Sequence, residues 1–316
     1  MKIIVFGTGG IGGYFGGRLA QAGEDVTFIA RGAHLAALQQ QGLQVQSIKG
    51  DFTLSPVQAA DDPGQVKDPD VVLVCVKAWQ VPEVARALLP VIGAHTLVVP
   101  LQNGVDAPEQ LASVLDKPAG AVPHVAGGLC RISAQLAAPG LIRHVGIEPS
   151  IAFGALDGRA DERIEALRLA CQRAGLAVEV PADIYQAMWA KFTFIAAISG
   201  VGAVTRSPVG VFRQVPETRQ MLINALDEIV AVGRARGVAL PADTAGRTLS
   251  VIDNLPPGTL ASMHRDVIDG RPSELEAQNG AVVRMGRELG IPTPTHAFIY
   301  HSLLPQEAKA RGTLSF

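Results

Sequence analysis

Cysteine is scarce in this chain: there are three in 316 residues, and Cys75, Cys130 and Cys171 lie far apart with no C-x-x-C pair. An odd, scattered set argues against a disulfide framework and against a cysteine-based zinc site. Cys75 falls inside the apolar run 71–76 and reads as a small core residue. Charge is also sparse, with charged residues at 18 %, a net charge of −2 and no stretch that concentrates Lys or Arg. A nucleic-acid partner needs a basic face, so that class is disfavoured. Long uncharged runs are lacking as well. The longest, 192–205, falls short of the roughly 18 residues that span a bilayer. The chain enters a strand at once, without a basic segment and a cleavable apolar stretch, so no membrane association is expected and the cytoplasm is the expected compartment. His296 and His301 have no Cys or carboxylate at ligand spacing, so no metal is expected, and His124 and His144 read as structural.

What remains is an apolar, glycine-rich chain, 48 % hydrophobic with 34 glycines and long enough for about two domains. Strand-like and helix-like segments alternate from the start: 2–6 as a strand, 10–22 as a helix, then strands at 25–30, 70–76 and 96–100. Each strand is a continuous β-branched run rather than an alternating one, as expected where both faces are covered. Segments 119–124 and 151–153 are candidates for further strands. This rhythm predicts a doubly wound parallel sheet of Rossmann type. From residue 184 the pattern changes to helices, at 184–197, 218–236, 241–252 and 273–289, punctuated by Gly237, Pro256, Pro257, Gly258 and Gly290. The expected organisation is an α/β nucleotide-binding domain over 1–181 and an all-helical domain over 182–316.

Gly7, Thr8, Gly9, Gly10, Ile11 and Gly12 fit G-x-G-x-x-G. The pattern alone is weak, but here it directly follows an apolar strand and opens a helix, the context of a dinucleotide site. Gly7 suits the tight turn, Gly9 the approach of a pyrophosphate to the helix N-terminus, and Gly12 close helix–strand packing. The second strand ends at Arg31, about 20 residues on, where NAD enzymes carry an acid for the ribose 2′-OH. An arginine there can grip a 2′-phosphate through paired charge-assisted hydrogen bonds, so NADP(H) is the expected cofactor.

Lys77 and Asn103 follow two later strands, at the carboxyl end of the sheet where open α/β folds bind ligands. In the helical half Lys191 is flanked by apolar residues. It is either a snorkelling helix lysine or a functional amine, and the local sequence leaves both open.

Taken in order, the glycine motif with Arg31, the Lys77 strand end, Gln102-Asn103-Gly104, His144-Val145-Gly146, Trp189-x-Lys191, the stretch from Ala261 through Ser262 to Asp266, and Ser273 through Glu276 form a recognisable series. The chain resembles the ketopantoate reductases (2-dehydropantoate 2-reductases) over essentially its whole length. Ser262 and Glu274, twelve residues apart, have the spacing of that family's substrate serine and cleft glutamate. The resemblance implies a helical domain like the C-terminal one of 6-phosphogluconate dehydrogenase. It also implies an NADP(H)-dependent reduction of a small-molecule 2-oxo acid to a 2-hydroxy acid. Lys191 would be the general acid, its ammonium also stabilising the developing oxyanion. Glu274 would position Lys191 or contact the cofactor. Lys77 and Asn103 would bridge cofactor and substrate, and Ser262 would hold the substrate carboxylate, with Ser199 alongside.

Some positions depart from the family. Asparagines commonly sit four and eight residues after the catalytic lysine, on one helix face, where this chain has Ile195 and Ser199. Two further expected asparagines are Val209 and Thr259. The hydride machinery reads as intact while the polar grip on a hydroxylated substrate reads as stripped, which points to ketopantoate or a less polar relative. The competing readings are a dehydrogenase of the 3-hydroxy-acid or 6-phosphogluconate type and an NADPH-binding sensor without catalysis. Apolar helix faces serve a core or a partner equally, so a homodimer stays open.

Overall fold

The computed structural model describes residues 1–116 and 124–315. It divides into two compact units, Met1–Gln102 with Ala107–Ile184, and Asn103–Asp106 with Tyr185–Phe316.

The first unit begins with β1 (Lys2–Phe6), α1 (Gly10–Gln21), β2 (Asp25–Ile29), α2 (Gly32–Gln41), β3 (Leu43–Ser47), β4 (Phe52–Leu54) and β5 (Gln58–Ala60). It continues through β6 (Val71–Val74), α3 (Val81–Leu88), β7 (Leu97–Pro100) and α4 (Ala107–Leu115). Then follow β8 (Ala126–Arg131), β9 (Ala134–Ala138), β10 (Leu141–His144), β11 (Ser150–Ala155), α5 (Glu162–Arg173) and β12 (Ala177–Glu179). The main sheet has the order β5-β2-β1-β6-β7, every pair parallel. The chain builds outward from β1 to one side, then crosses back to the other, so the switch in direction falls between β1 and β6. Successive residues of one strand feed different cores. Ile3, Val5, Val71, Leu73, Leu97 and Val99 pack into one cluster, and Ile4, Phe6, Val72, Val74 and Val98 into another. Burial on both faces is why these strands read as unbroken apolar runs.

Two smaller sheets accompany the main one, β4-β3-β10-β9 and β12-β11-β8, of which only β11 falls on an expected strand, the candidate at 151–153. Their strands are short or rich in Ala and Gln, and β9 is largely exposed, so they lack the β-branched density that marks the main sheet. The candidate strand at 119–124 lies outside the described residues except for His124, after which Val125 forms an isolated bridge to Val98.

In the second unit α6 (Ile184–Thr205) extends eight residues beyond its expected end at Ala197. By length and composition alone this helix would cross a bilayer, a property hidden in the sequence because Lys191 interrupts the apolar run. Two-thirds of its most apolar window is buried inside the protein, as in a core helix. It is followed by α7 (Val209–Phe212), α8 (Pro216–Ala235), α9 (Thr244–Asp253) and α10 (Ser262–Ile268). The helix expected over 273–289 starts late and irregularly. Glu276–Gly280 is one π turn, with the Gly280 N–H bonded to Leu275 O at 2.9 Å, and α11 (Ala281–Leu289) follows directly. The last helix is α12 (Pro294–Ala310).

Candidate functional site

The glycine loop of the first unit is built by contacts of the backbone with itself. Gly7 has φ +97°, and a Cβ there would lie 2.9 Å from the Val76 nitrogen. A Cβ on Gly12 would stand 2.2 Å from Gly7 O, and one on Gly10 2.3 Å from Ala134 O. Packing therefore dictates glycine at these three positions. Gly9 differs, because a Cβ there meets nothing within 4 Å. It is also the N-cap of α1, with no side-chain cap and no acid in the first turn, so first-turn N–H groups lack a side-chain acceptor. An anion fits that end of the helix.

Thr8 is buried, and it donates both its N–H (3.2 Å) and its hydroxyl (3.0 Å) to Ile29 O. Its own carbonyl accepts from His34 Nε2 at 2.7 Å. Gly140 N–H donates to His34 Nδ1 at 2.9 Å, which fixes the neutral tautomer with the proton on Nε2. Burial accordingly pushes the His34 pKa below its ordinary value. Ile11 is half-buried against the core. Nothing in the motif singled out His34, which lies 26 residues past Thr8 and reaches it only through the fold.

Arg31 is the N-cap of α2 and pairs with Glu83 at 3.0 Å, both side chains being well exposed. Exposed pairs are weak, so this guanidinium can exchange its partner for an anion at little cost. Lys77 follows β6, half-buried, its Nζ 5.8 Å from the centre of the Trp79 ring. Register places the ends of β1 and β6 side by side, Phe6 opposite Val74. Gln102 pins that edge by donating Nε2 to Val74 O at 2.8 Å and to Val76 O at 3.1 Å.

In the second unit the segment 103–106 docks along the π turn and α11. Asn103 Nδ2 donates to Glu274 Oε2 at 3.2 Å, and the Glu274 side chain is buried. Gly104, at φ +104°, would bring a Cβ to 2.9 Å from Ala277 O. Asp106 pairs with Arg284, and the ion pair ties that arginine to the loop that carries Asn103. Lys191 is half-buried on α6 between the buried Trp189 and Phe192. Ile195 and Ser199 continue the same helix face one and two turns on. Ser199 is fully buried and its hydroxyl has no partner. Ser262 is the first residue of α10, and Val209 N–H donates to Thr259 O at 3.1 Å, so the two other positions that lack an asparagine lie side by side.

Two glycines of α6 admit polar neighbours. A Cβ on Gly200 would fall 2.4 Å from Asn279 Nδ2, which donates to Ala196 O at 3.3 Å. One on Gly202 would fall 2.6 Å from the imidazole Nδ1 of His264. His264 is buried with Nε2 unpartnered, and burial together with the Arg265 charge lowers its pKa. The structure thus brings Asn103 to Glu274, and sets Lys191 and Ser199 on one face of a helix that also meets Asn279 and His264.

Residues 3–158 match the family described as Ketopantoate reductase PanE/ApbA, and residues 183–307 match Ketopantoate reductase PanE/ApbA C terminal. The chain belongs to the ketopantoate reductase family. It is 33 % identical to the 2-dehydropantoate 2-reductase of Mesorhizobium japonicum, over 93 % of this chain and 94 % of that one. An uncharacterized oxidoreductase of Bacillus subtilis is 31 % identical over 98 % of this chain and the whole of its own. Among solved structures, the PanE/ApbA family ketopantoate reductase from Ralstonia eutropha superposes with a TM-score of 0.89 at 31 % identity, covering 98 % of this chain and 100 % of that one. D-Mandelate dehydrogenase, at 21 % identity and a TM-score of 0.85, shares the fold. This ketopantoate reductase relative is therefore an α/β oxidoreductase with a C-terminal helical domain.

Proposed function

We propose that this protein is an NADP(H)-dependent reductase of a 2-oxo acid, with the nucleotide held by the first unit and the substrate by residues of the second. The observation that carries the reading is the buried Glu274 carboxylate, held by Asn103 and set on a segment that is bonded to the lysine helix through Asn279 and Ala196. Ketopantoate reductase relatives are named for this chemistry, 2-dehydropantoate being a 2-oxo acid.

The glycine loop fits a dinucleotide. Gly7, Gly10 and Gly12 hold the turn, the open side of Gly9 leaves room for a pyrophosphate, and the N-terminus of α1 offers donors to it. Thr8 and Ile11 shape the loop from behind, while Arg31 favours a 2′-phosphate over a bare ribose. When bound, the nicotinamide supplies the hydride.

The remaining work falls to side chains. Lys191 holds a proton at Nζ for the substrate oxygen that becomes an alkoxide, and its positive charge offsets the charge developing there. Glu274 accepts from Asn103 and fixes that amide, leaving its oxygen for the reactants. Ser262, at the head of α10, gives its hydroxyl to the substrate carboxylate. Lys77 and Asn103 bridge the two reactants.

The test is NADPH consumption by the purified protein with 2-dehydropantoate and a panel of other 2-oxo acids, with NADH run in parallel. Turnover with at least one acid is expected, with kcat/KM at least about tenfold higher for NADPH than for NADH, the scale of a hydrogen bond to a charged group. NADPH binding without turnover of any 2-oxo acid would contradict the reading.

A further inference from the structure

The peptide unit between Thr8 and Gly9 lies in the middle of the glycine loop, and its direction decides what the loop shows to a ligand. The bond is trans, so the Thr8 carbonyl and the Gly9 N–H point opposite ways. Among the described residues nothing accepts from that N–H. Thr8 is anchored on Ile29 O through its own N–H and hydroxyl, but both lie before this peptide plane and leave it free to turn. Glycine on the far side makes the turn easy, because a flip carries Gly9 from φ −80° to a positive φ that glycine readily adopts. A flipped plane would set a carbonyl oxygen where the loop now presents an N–H, and an anion would meet partial negative charge there.

What holds the plane is His34, whose Nε2 donates to Thr8 O at 2.7 Å. The ring is gripped from its other side by Gly140 N–H, which donates to Nδ1 at 2.9 Å. Gly140 lies in the turn between β9 and β10, and the same hairpin meets the loop again where Ala134 O lies against Gly10. His34 belongs to the first turn of α2, three residues after the N-cap Arg31.

We propose that His34 is a positioning residue for the nucleotide: it locks the Thr8–Gly9 peptide so that the glycine loop turns N–H groups, and not a carbonyl, toward the pyrophosphate. It acts through the Thr8 carbonyl and not by contact with the nucleotide. Its effect therefore falls on the part that NADPH and NADH share, whereas Arg31 serves the 2′-phosphate that NADPH alone carries. The glycine motif is incomplete in itself, since its second glycine depends on a donor 26 residues past Thr8. This inference rests on the proposed function, since it concerns the nucleotide of that same reading.

The experiment titrates NADPH and NADH, followed by nucleotide fluorescence, into the parent protein, His34→Gln and His34→Asn, with melting temperatures from the same preparations. The glutamine amide reaches the place of Nε2 and can still donate to Thr8 O. Asparagine, one methylene shorter, reaches only the place of Nδ1, where it can accept from Gly140 but leaves the Thr8 carbonyl unheld. His34→Asn should weaken both nucleotides by about fivefold to tenfold, the scale of one hydrogen bond, while His34→Gln binds both within about twofold of the parent. The two variants should melt within a few degrees of each other. Parent-like binding of both nucleotides by His34→Asn would overturn the inference. So would a loss confined to NADPH, which would put His34 in the 2′-phosphate grip. Equal losses in the two variants would also overturn it, as the mark of a histidine needed only for packing. A parent that binds neither nucleotide would overturn the proposed function itself, and this inference with it.

Discussion

Around residues 7–12 the buried polar groups of the first unit find their partners within the protein. Thr8 gives its N–H and hydroxyl to Ile29, and its carbonyl is closed by His34. Beside the lysine helix of the second unit the reverse holds, with Ser199, His264, Gln278 and Asn279 each keeping at least one buried atom without a partner. The difference follows from what each site uses. On the proposed reading the glycine loop would meet its ligand with backbone N–H groups that the fold orients and leaves open at the helix N-terminus. Beside the lysine helix the hydrogen-bonding capacity belongs to side chains, which burial leaves without partners.

The comparison breaks most sharply at two adjacent glycines. Gly9→Ala adds a methyl to open space, so the protein should fold and melt as the parent does while binding NADPH roughly tenfold or more weakly, the scale of an overpacked contact. Gly10→Ala drives its methyl into Ala134 O and should lower the melting temperature by several degrees, about 1–3 kcal/mol of strain. Thermal melts and NADPH titrations of both variants check this, and equal behaviour of the two would refute the assignment of Gly9 to the ligand.

A smaller effect is expected from Arg31→Ala. Its pair with Glu83 is exposed, so stability should hardly change, while the NADPH affinity falls several-fold to about tenfold and the NADH affinity stays within about twofold. Equal losses for the two nucleotides would move the choice of cofactor elsewhere.

The smallest effect is on the pH dependence of stability, where each unit contributes one histidine. Burial holds His34 and His264 below the ordinary value of 6.5, so both are neutral in the folded protein. On acidification the unfolded chain takes up these protons first. Their contribution is therefore complete above about pH 6.5 and is lost as the pH falls below it toward the folded values. Melting temperature should decline over that window. His34→Gln and His264→Gln should each flatten part of the slope, and a decline unaltered by both would show that other groups carry it.

Much of the first unit was legible in the sequence because its physics is local. A β-branched run followed by glycines at fixed spacing can hardly make anything but a buried strand and a tight turn, and β1, α1, β6 and β7 appear within a few residues of expectation. Apart from the candidate at 151–153 the accessory sheets were not legible, since β3 pairs with β10 across a long separation and β9, although it forms a hairpin with β10, has little intrinsic strand preference. In the second unit Ser262 and Glu274 were singled out only through the resemblance to a family series, while the local sequence marked Lys191 and left its role open. Gln278 carried no signal, because a glutamine within a helical stretch reads as a solvated face until the fold buries it. The π turn was hidden for a similar reason: its backbone shift has no composition of its own.

The most direct test of the account is steady-state reduction by Lys191→Arg, with NADPH affinity measured on the same preparation. Arginine keeps the positive charge but holds its proton too firmly to release it, so kcat should fall by about a hundredfold or more while NADPH binds as in the parent. A Lys191→Arg protein that reduces its 2-oxo acid within a few-fold of the parent rate would contradict the assignment of Lys191 as the general acid.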